Sequence, residues 1–287
     1  MYNQPRPVFP PQHQHQNPGW ESVMNPPPVY EDMTYKPSGK LTGKKAVITG
    51  GDSGIGRAVA LLFAKEGADI AIIYLNESND AMTTKRIVET QGVRCYTFPA
   101  DLKDEWVAKD VISKAASSLG GRIDILVNNA AAQYWQNSIL DISSDQFHHT
   151  FESNIYSVFY VTKAALTYIP RGGSIVNTAS VTAFEGDERF IDYSASKGAV
   201  VSFTRSMAMS LVKQNIRVNA VAPGPVWTPM IVSSFSPETV QTFGTETPMG
   251  RPAQPYELAP TYVYLASDDS SNVTGQVMHV NGGKVIN

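Results

Sequence analysis

Tyr193 and Lys197 stand four residues apart in "YSASK", at the start of a helical stretch running to Gln214, so their side chains share one helix face. An ammonium beside a phenol favours the phenolate and draws a tyrosine down from its reference pKa of about 10. A tyrosine tuned this way exchanges protons near neutral pH. Two solvated polar residues on a helix would show the same spacing, so the neighbouring sequence has to decide. Ser180, thirteen residues earlier, ends the buried-strand pattern "GGSIVNTAS". Ligands of open α/β sheets bind beyond the carboxyl ends of strands, where a serine hydroxyl can hold a carbonyl oxygen. Asn154, in "FESNIYSVF", is an amide in an otherwise apolar helical run and needs a partner once buried. The backbone of its neighbours could be that partner.

A second constellation lies upstream. "KAVITGGDSGIGRAVALLFAKEG" reads as a strand, a glycine-rich turn and an amphipathic helix, with Gly50, Gly54 and Gly56 in the turn. Such a turn lets backbone N–H groups and the helix N-terminus face a pyrophosphate. Tight turns also need glycine for steric reasons alone, but the strand before and the helix after favour a dinucleotide site. The Gly-Asp-Ser-Gly within it also surrounds the nucleophile of trypsin-like proteases. Here Ser53 precedes a helix in an α/β pattern, which is no β-barrel context, and no Gly-x-Ser-x-Gly elbow is present. Ser53 is read instead as a donor near the phosphates.

The elements that must position these residues begin at Leu41. Short β-rich runs alternate with helical stretches, predicting a parallel sheet covered on both faces by helices. "KAVIT", "DIAIIY", "VRCYTFP", "IDILVNN", "GSIVNTAS", "IRVNAVAP" and "GQVMHV" supply seven strand candidates. Gly67, Gly92 and Gly120 fall where a left-handed residue closes a helix. Residues 41–287 read as one catalytic domain.

Residues 1–40 differ in composition. They hold nine of the 19 prolines, the run "PQHQHQN" and Pro26-Pro27-Pro28, so they form neither helix nor central strand. A disordered tail is one reading. Phe9, Trp20, Tyr30 and Tyr35 are aromatic anchors a spacer does not need, and support packing on the core or on a neighbouring subunit. His13 and His15 lack further ligands and read as solvated residues; no metal site is expected.

Composition bounds the rest. The 287 residues are 42 % hydrophobic and 17 % charged with net charge -3, which gives no electrostatic reason to expect a nucleic-acid partner. The single cysteine, Cys95, suits a reducing compartment. No apolar run is long enough to span a bilayer and no export signal is visible, so the cytoplasm is expected.

Over about residues 41–287 the chain resembles the short-chain dehydrogenase/reductase family. "TGGDSGIG" is similar to the family's Thr-Gly-x-x-x-Gly-x-Gly cofactor loop, "ADL" with Asp101 and Leu102 to its adenine contact, and "NNAA" with Asn129 and Ala130 to its Asn-Asn-Ala-Gly. Ser180, Tyr193 and Lys197 resemble its catalytic triad in type and spacing, with Asn154 as fourth member. "PGPVWT", holding Pro223, Gly224, Val226 and Thr228, is similar to the segment whose threonine meets the nicotinamide carboxamide. Ala131 departs from a usual glycine, and Asn281 from a common Asp. The Pro-rich extension narrows the resemblance to a bacterial subgroup similar to aldehyde reductases and glucose/ribitol dehydrogenase-like proteins.

The resemblance implies a single Rossmann-type, doubly wound parallel sheet of about seven strands, and NAD or NADP as cofactor. It places Gly50, Ser53, Gly54, Ile55, Gly56, Tyr74 and Asn76 around that cofactor. Tyr193 would protonate the substrate oxygen, Ser180 would orient it, and Lys197 would lower the Tyr193 pKa and hold the nicotinamide ribose. Asn154 would hold a water linking Lys197 to solvent. An acid after the second strand favours free ribose hydroxyls and an arginine favours a 2′-phosphate. Tyr74 and Leu75 occupy those two places, so neither determinant is present; Asn76 and Arg57 remain able to accept a phosphate. The substrate is a small carbonyl or alcohol compound. The loop Pro229–Arg251, with Met230, Phe235, Phe243 and Met249, is expected to cover it, and Gln133, Tyr134, Trp135 and Glu185 to line its pocket. The resemblance also implies a homotetramer. A nucleotide-binding or sensing protein with little turnover is the alternative.

Overall fold

The computed structural model describes residues 8–286. All seven strand candidates form one parallel sheet: β1 (Lys45–Thr49), β2 (Asp69–Tyr74), β3 (Cys95–Pro99), β4 (Ile125–Asn128), β5 (Ser174–Thr178), β6 (Arg217–Pro223) and β7 (Val277–Val280). They lie in the order β3-β2-β1-β4-β5-β6-β7. The first connections run outward from β1 in one direction and the later ones in the other. The order therefore reverses between β1 and β4, the place where open α/β sheets form a crevice beyond their carboxyl ends.

Alternation along the strands builds two cores. Ala46 and Ile48 face a layer made by α1 (Gly54–Lys65) and α10 (Pro255–Ala266). Val47 faces the other layer, made by α3 (Glu105–Ser118), α5 (Ser157–Ala165) and α7 (Ile191–Leu211). α2 (Ser78–Glu89) joins the α1 side, and α4 (Ser144–Phe151) precedes α5. The short helices α6 (Thr182–Glu185), α8 (Pro229–Ser234) and α9 (Pro237–Gln241) follow β5 and β6. Gly67, Gly92 and Gly120 close their helices at φ 94°, 81° and 88°, a region that side chains disfavour.

A line of buried polar groups crosses this body. Asn128 Nδ2 donates to Thr162 Oγ1 at 3.0 Å and to Asn177 Oδ1 at 2.9 Å, and Asn177 Nδ2 donates to Thr204 Oγ1 at 2.9 Å. It ties β4 and β5 to α5 and α7.

The described part of the extension, residues 8–40, packs on the core. Phe9 and Met24 join Trp227, Ile231, Val232, Phe235 and Val240 in a separate apolar cluster. Tyr30 lies under the Arg57 guanidinium, and the Tyr35 hydroxyl donates to Glu66. Trp20 is not an anchor; it is 46 % exposed. His13 Nδ1 lies 2.8 Å from the Phe235 carbonyl. No helix among the described residues is long and apolar enough to cross a membrane.

Candidate active site

One cavity of about 840 Å³ opens beyond the carboxyl ends of β1, β2, β4, β5 and β6, within the size range of small-molecule sites. Gly50, Ser53, Gly54 and Ile55 line one wall. Glycine is required here: Gly50 and Gly54 have φ of 62° and 51°, and a Cβ on Gly56 would lie 1.9 Å from the Gly50 carbonyl oxygen. Gly56 itself does not line the cavity. It lets α1 pack against the loop, while Ser53 stands at the helix N-cap. Asn129 braces the loop from β4, its Nδ2 donating to the carbonyls of Thr49 and Gly50 at 3.2 and 3.1 Å.

Ser180, Tyr193 and Lys197 reach the same cavity from different elements. Ser180 follows β5, and Tyr193 and Lys197 lie in the first turns of α7. Lys197 Nζ donates to the Thr178 carbonyl at 2.8 Å and sits 5.6 Å from the Tyr193 ring centroid. The expected lowering of the tyrosine pKa is not found. Burial pushes the Tyr193 phenol up to about 12, opposed by its hydrogen bond with Ser180. Burial likewise draws Lys197 down to about 7. Desolvation penalises both charged forms and outweighs their mutual influence.

Asn154 is fully buried outside the cavity lining, in a π turn, Glu152–Tyr156, between α4 and α5. Its Oδ1 accepts from the Ala132 N–H at 2.8 Å. Its Nδ2 donates to the Ala132 carbonyl at 2.8 Å and to Ser196 Oγ at 3.0 Å. The side chain thus clamps the loop after β4 to α7, the helix that carries Tyr193 and Lys197.

Tyr74, Asp101, Leu102, Ala130, Pro223, Gly224, Val226 and Thr228 all line the cavity, as do Ala131 and Glu185. Glu185 pairs with Lys284 at 3.2 Å. Four further expectations fail. Asn76 is exposed and does not line the cavity; the chain turns outward after β2, and its backbone N–H donates to Glu77 Oε2 at 3.1 Å. Arg57 is not free for a phosphate. It is buried, gives Nε to the Asp52 carbonyl and Thr84 Oγ1 at 3.0 and 2.9 Å, and pairs with Glu21 and Asp80. Trp135 packs between Phe190 and Phe235 rather than facing the pocket. Met249 is exposed, whereas Met230, Phe235 and Phe243 do line it.

Two groups were missed by sequence reasoning. Asp52 and Glu77 both line the cavity near Tyr74. Glu77 is 3 % exposed, and its Oε1 is buried with no hydrogen-bond partner. Burial and the Glu77 charge push Asp52 up to about 7. Spacing carried a signal, since an acid about 20 residues past the glycine turn contacts the adenosine ribose in such folds. The second group is Asn17, Pro18 and Gly19 of the extension, which also line the cavity; no local pattern announces that contact. The side-chain-free cradle at Gly50 and Gly54, together with the unpartnered acceptor of Glu77, fits a dinucleotide.

A crevice at the strand-order reversal, a glycine cradle and a buried serine, tyrosine and lysine define a nicotinamide-dependent oxidoreductase. The chain belongs to the short-chain dehydrogenase/reductase family: residues 50–284 match the family model described as enoyl-(acyl carrier protein) reductase. It is 56 % identical over 287 residues, 100 % of both chains, to the uncharacterized oxidoreductase YhxC of Bacillus subtilis. It is 46 % identical over 283 residues to NADPH-dependent aldehyde reductase 1, chloroplastic, of Arabidopsis thaliana, covering 96 % of this chain and 98 % of that one. A short-chain dehydrogenase from Burkholderia cenocepacia, solved in complex with NADP, superposes with a TM-score of 0.80 at 28 % identity, covering 85 % of this chain and 98 % of that one. The coenzyme is NAD or NADP.

Proposed function

We propose that the protein interconverts a small aldehyde, ketone or polyol with its reduced or oxidised partner, with Tyr193 as the proton donor and acceptor. The observation that carries this reading is the convergence of Ser180, Tyr193 and Lys197 on the cavity that the glycine cradle also lines. The coenzyme supplies or accepts the hydride. Tyr193, a phenol protonated at neutral pH whose pKa burial pushes further up, gives its proton to the substrate oxygen during reduction and recovers it in oxidation. The Ser180 hydroxyl donates to that same oxygen and orients it. Lys197, fixed by the Thr178 carbonyl, stabilises the phenolate left behind. Asn154 acts by holding the loop after β4 against α7.

The pocket end near Tyr193 supports a small polar substrate. Glu185, Lys284, Asp187 and Arg189 line it beside Phe190 and Phe243. The name of the Arabidopsis relative adds support for an aldehyde. The carboxyl groups of Asp52 and Glu77, with Arg57 already paired, favour a coenzyme with free adenosine ribose hydroxyls over one with a 2′-phosphate.

The test follows nicotinamide absorbance, with NADH and NADPH separately, against small aldehydes, ketones and sugars. Turnover that disappears in Tyr193→Phe supports the reading. Bound nucleotide with no turnover on any carbonyl supports a nucleotide-sensing protein instead. A homotetramer is part of the proposal, and light scattering checks it.

A further inference from the structure

Residues 17–21 of the extension run across the mouth of the cleft. At one end the Glu21 carboxylate, 4 % exposed, accepts from the Gly54 N–H at 2.6 Å and pairs with Arg57. The Glu21 N–H donates to Asp80 Oδ2 at 2.8 Å. In the middle, Gly19 lies so close to α8 that a Cβ would meet the Pro229 carbonyl oxygen at 2.7 Å. At the other end Asn17 Nδ2 donates to the Gln133 carbonyl at 3.1 Å. The segment therefore links the glycine loop, the start of α8 and the loop after β4, three elements on different sides of one cavity. Its flanks are fixed as well: the Gln14 N–H donates to the Val232 carbonyl at 2.7 Å, and Trp227 Nε1 donates to the Pro26 carbonyl at 2.9 Å. Gln16 Nε2 is buried beside it without a partner.

We propose that Asn17–Glu21 is part of the coenzyme-binding machinery, forming the outer wall over the diphosphate and nicotinamide half of the cleft with Glu21 as the positioning residue for Gly54. This rests on the reading that the cleft binds a dinucleotide. Gly54 and Thr228 pack directly on each other, and a ligand in the cavity that both line has Asn17, Pro18 and Gly19 along one side and cannot leave along that side unless the strap lifts. Asn17 and Gly19 contact Gln133 and Pro229, and neither contacts Tyr74 or Glu77 at the end of β2, where the adenosine half would lie; only the Glu21 end reaches α2, through Asp80. Two parts of one ligand are thus held differently. Loss of the strap loosens the whole dinucleotide while sparing a fragment that occupies only the adenosine end.

The experiment titrates the full chain with NADH or NADPH, whichever the wild type binds more tightly, and with AMP. It also follows release of the reduced coenzyme by stopped-flow fluorescence. The variants are Glu21→Gln, Asn17→Ala and Gly19→Ala, with folding checked by circular dichroism. Expected are a dinucleotide affinity at least about fivefold weaker, faster release, and AMP affinity within about twofold of wild type. Because Glu21 belongs to a buried ion pair, Glu21→Gln could fail to fold; Asn17→Ala removes the hydrogen bond to Gln133, and Gly19→Ala adds a methyl that collides with the Pro229 carbonyl and pushes the strap outward, neither touching that pair. Unchanged dinucleotide affinity and release in the folded variants overturn the proposal, as does equal weakening of AMP. A wild type that binds neither coenzyme nor AMP overturns both this proposal and the dinucleotide reading, whereas tight binding with unaltered variants defeats the strap alone.

Discussion

Phe9 lies flat on Trp227, with ring centroids 3.7 Å apart and planes 9° apart. Trp227 is fully buried and immediately precedes Thr228 and α8, so a residue of the extension forms one face of the anchor for the segment that covers the site. Truncating a buried phenylalanine costs about 3 kcal/mol through lost burial and the cavity left behind. Phe9→Ala is expected to lower Tm by roughly 6–12 °C for a chain of this size. Calorimetry of wild type and variant checks it, and an unchanged Tm would show that the stacking carries no stability.

Tyr193→Phe removes one hydroxyl from a residue already held by packing against Phe190. Turnover is expected to fall by about 10²–10⁴-fold, the usual contribution of a positioned proton donor. Nucleotide affinity should stay within about twofold. Steady-state rates and a nucleotide titration on the same preparation separate the two effects, and a variant with near-normal rate would remove Tyr193 from the chemistry.

Glu77 offers a buried, unpartnered acceptor near the end of β2. A carboxylate there accepts from ribose hydroxyls and repels a 2′-phosphate. Glu77→Gln is therefore expected to move the ratio of NADH to NADPH affinity toward NADPH by about tenfold or more. Parallel titrations measure it; a constant ratio would place coenzyme choice elsewhere.

Asp52 gives a pH dependence whose sign follows from linkage. Its carboxyl is raised from 3.8 to about 7 by burial and by Glu77, so between those pH values the folded state keeps a proton that the unfolded state releases. Stability from this group is complete below about pH 4 and is lost as pH rises through 7, with an upper limit on the order of 4 kcal/mol. Asp52→Asn, neutral throughout, is expected to melt near the wild-type temperature at pH 4.5 and above it at pH 8. A Tm difference that does not change with pH would show that Asp52 titrates normally.

The sheet was legible because its strands are short runs bounded by turn residues, the inner five apolar and buried on both faces, as in "DIAIIY" between Gly67 and Asn76, and the edge strands β3 and β7 only partly buried. The glycine loop and the Tyr193–Lys197 pair were legible for a related reason: their geometry is local, set by one turn or one helix face. Partners distant in sequence were not. Glu21 meets Arg57 across the fold, and nothing near either residue signals the pairing. Glu77 is not legible because the ribose determinants are expected at the last residue of β2 and the one after it, whereas the chain turns once more before an acid points inward. Asn76 illustrates the same turn in reverse, since one residue earlier faces solvent. The Tyr193 pKa was misjudged because proximity to Lys197 was visible and the depth of burial was not.

The polar line through Thr162, Asn128, Asn177 and Thr204 carries a consequence for inheritance. Asn128 and Asn177 each donate to the next member, while Asn128 Oδ1 is already buried without a partner, so replacing one member alone strands a further buried donor or acceptor. Drift at these positions is expected to proceed in concert. A chimera that takes residues 128–162 from one diverged parent and 177–204 from another folds well only when the two parents agree at all four places, which sets where crossovers between such genes can fall.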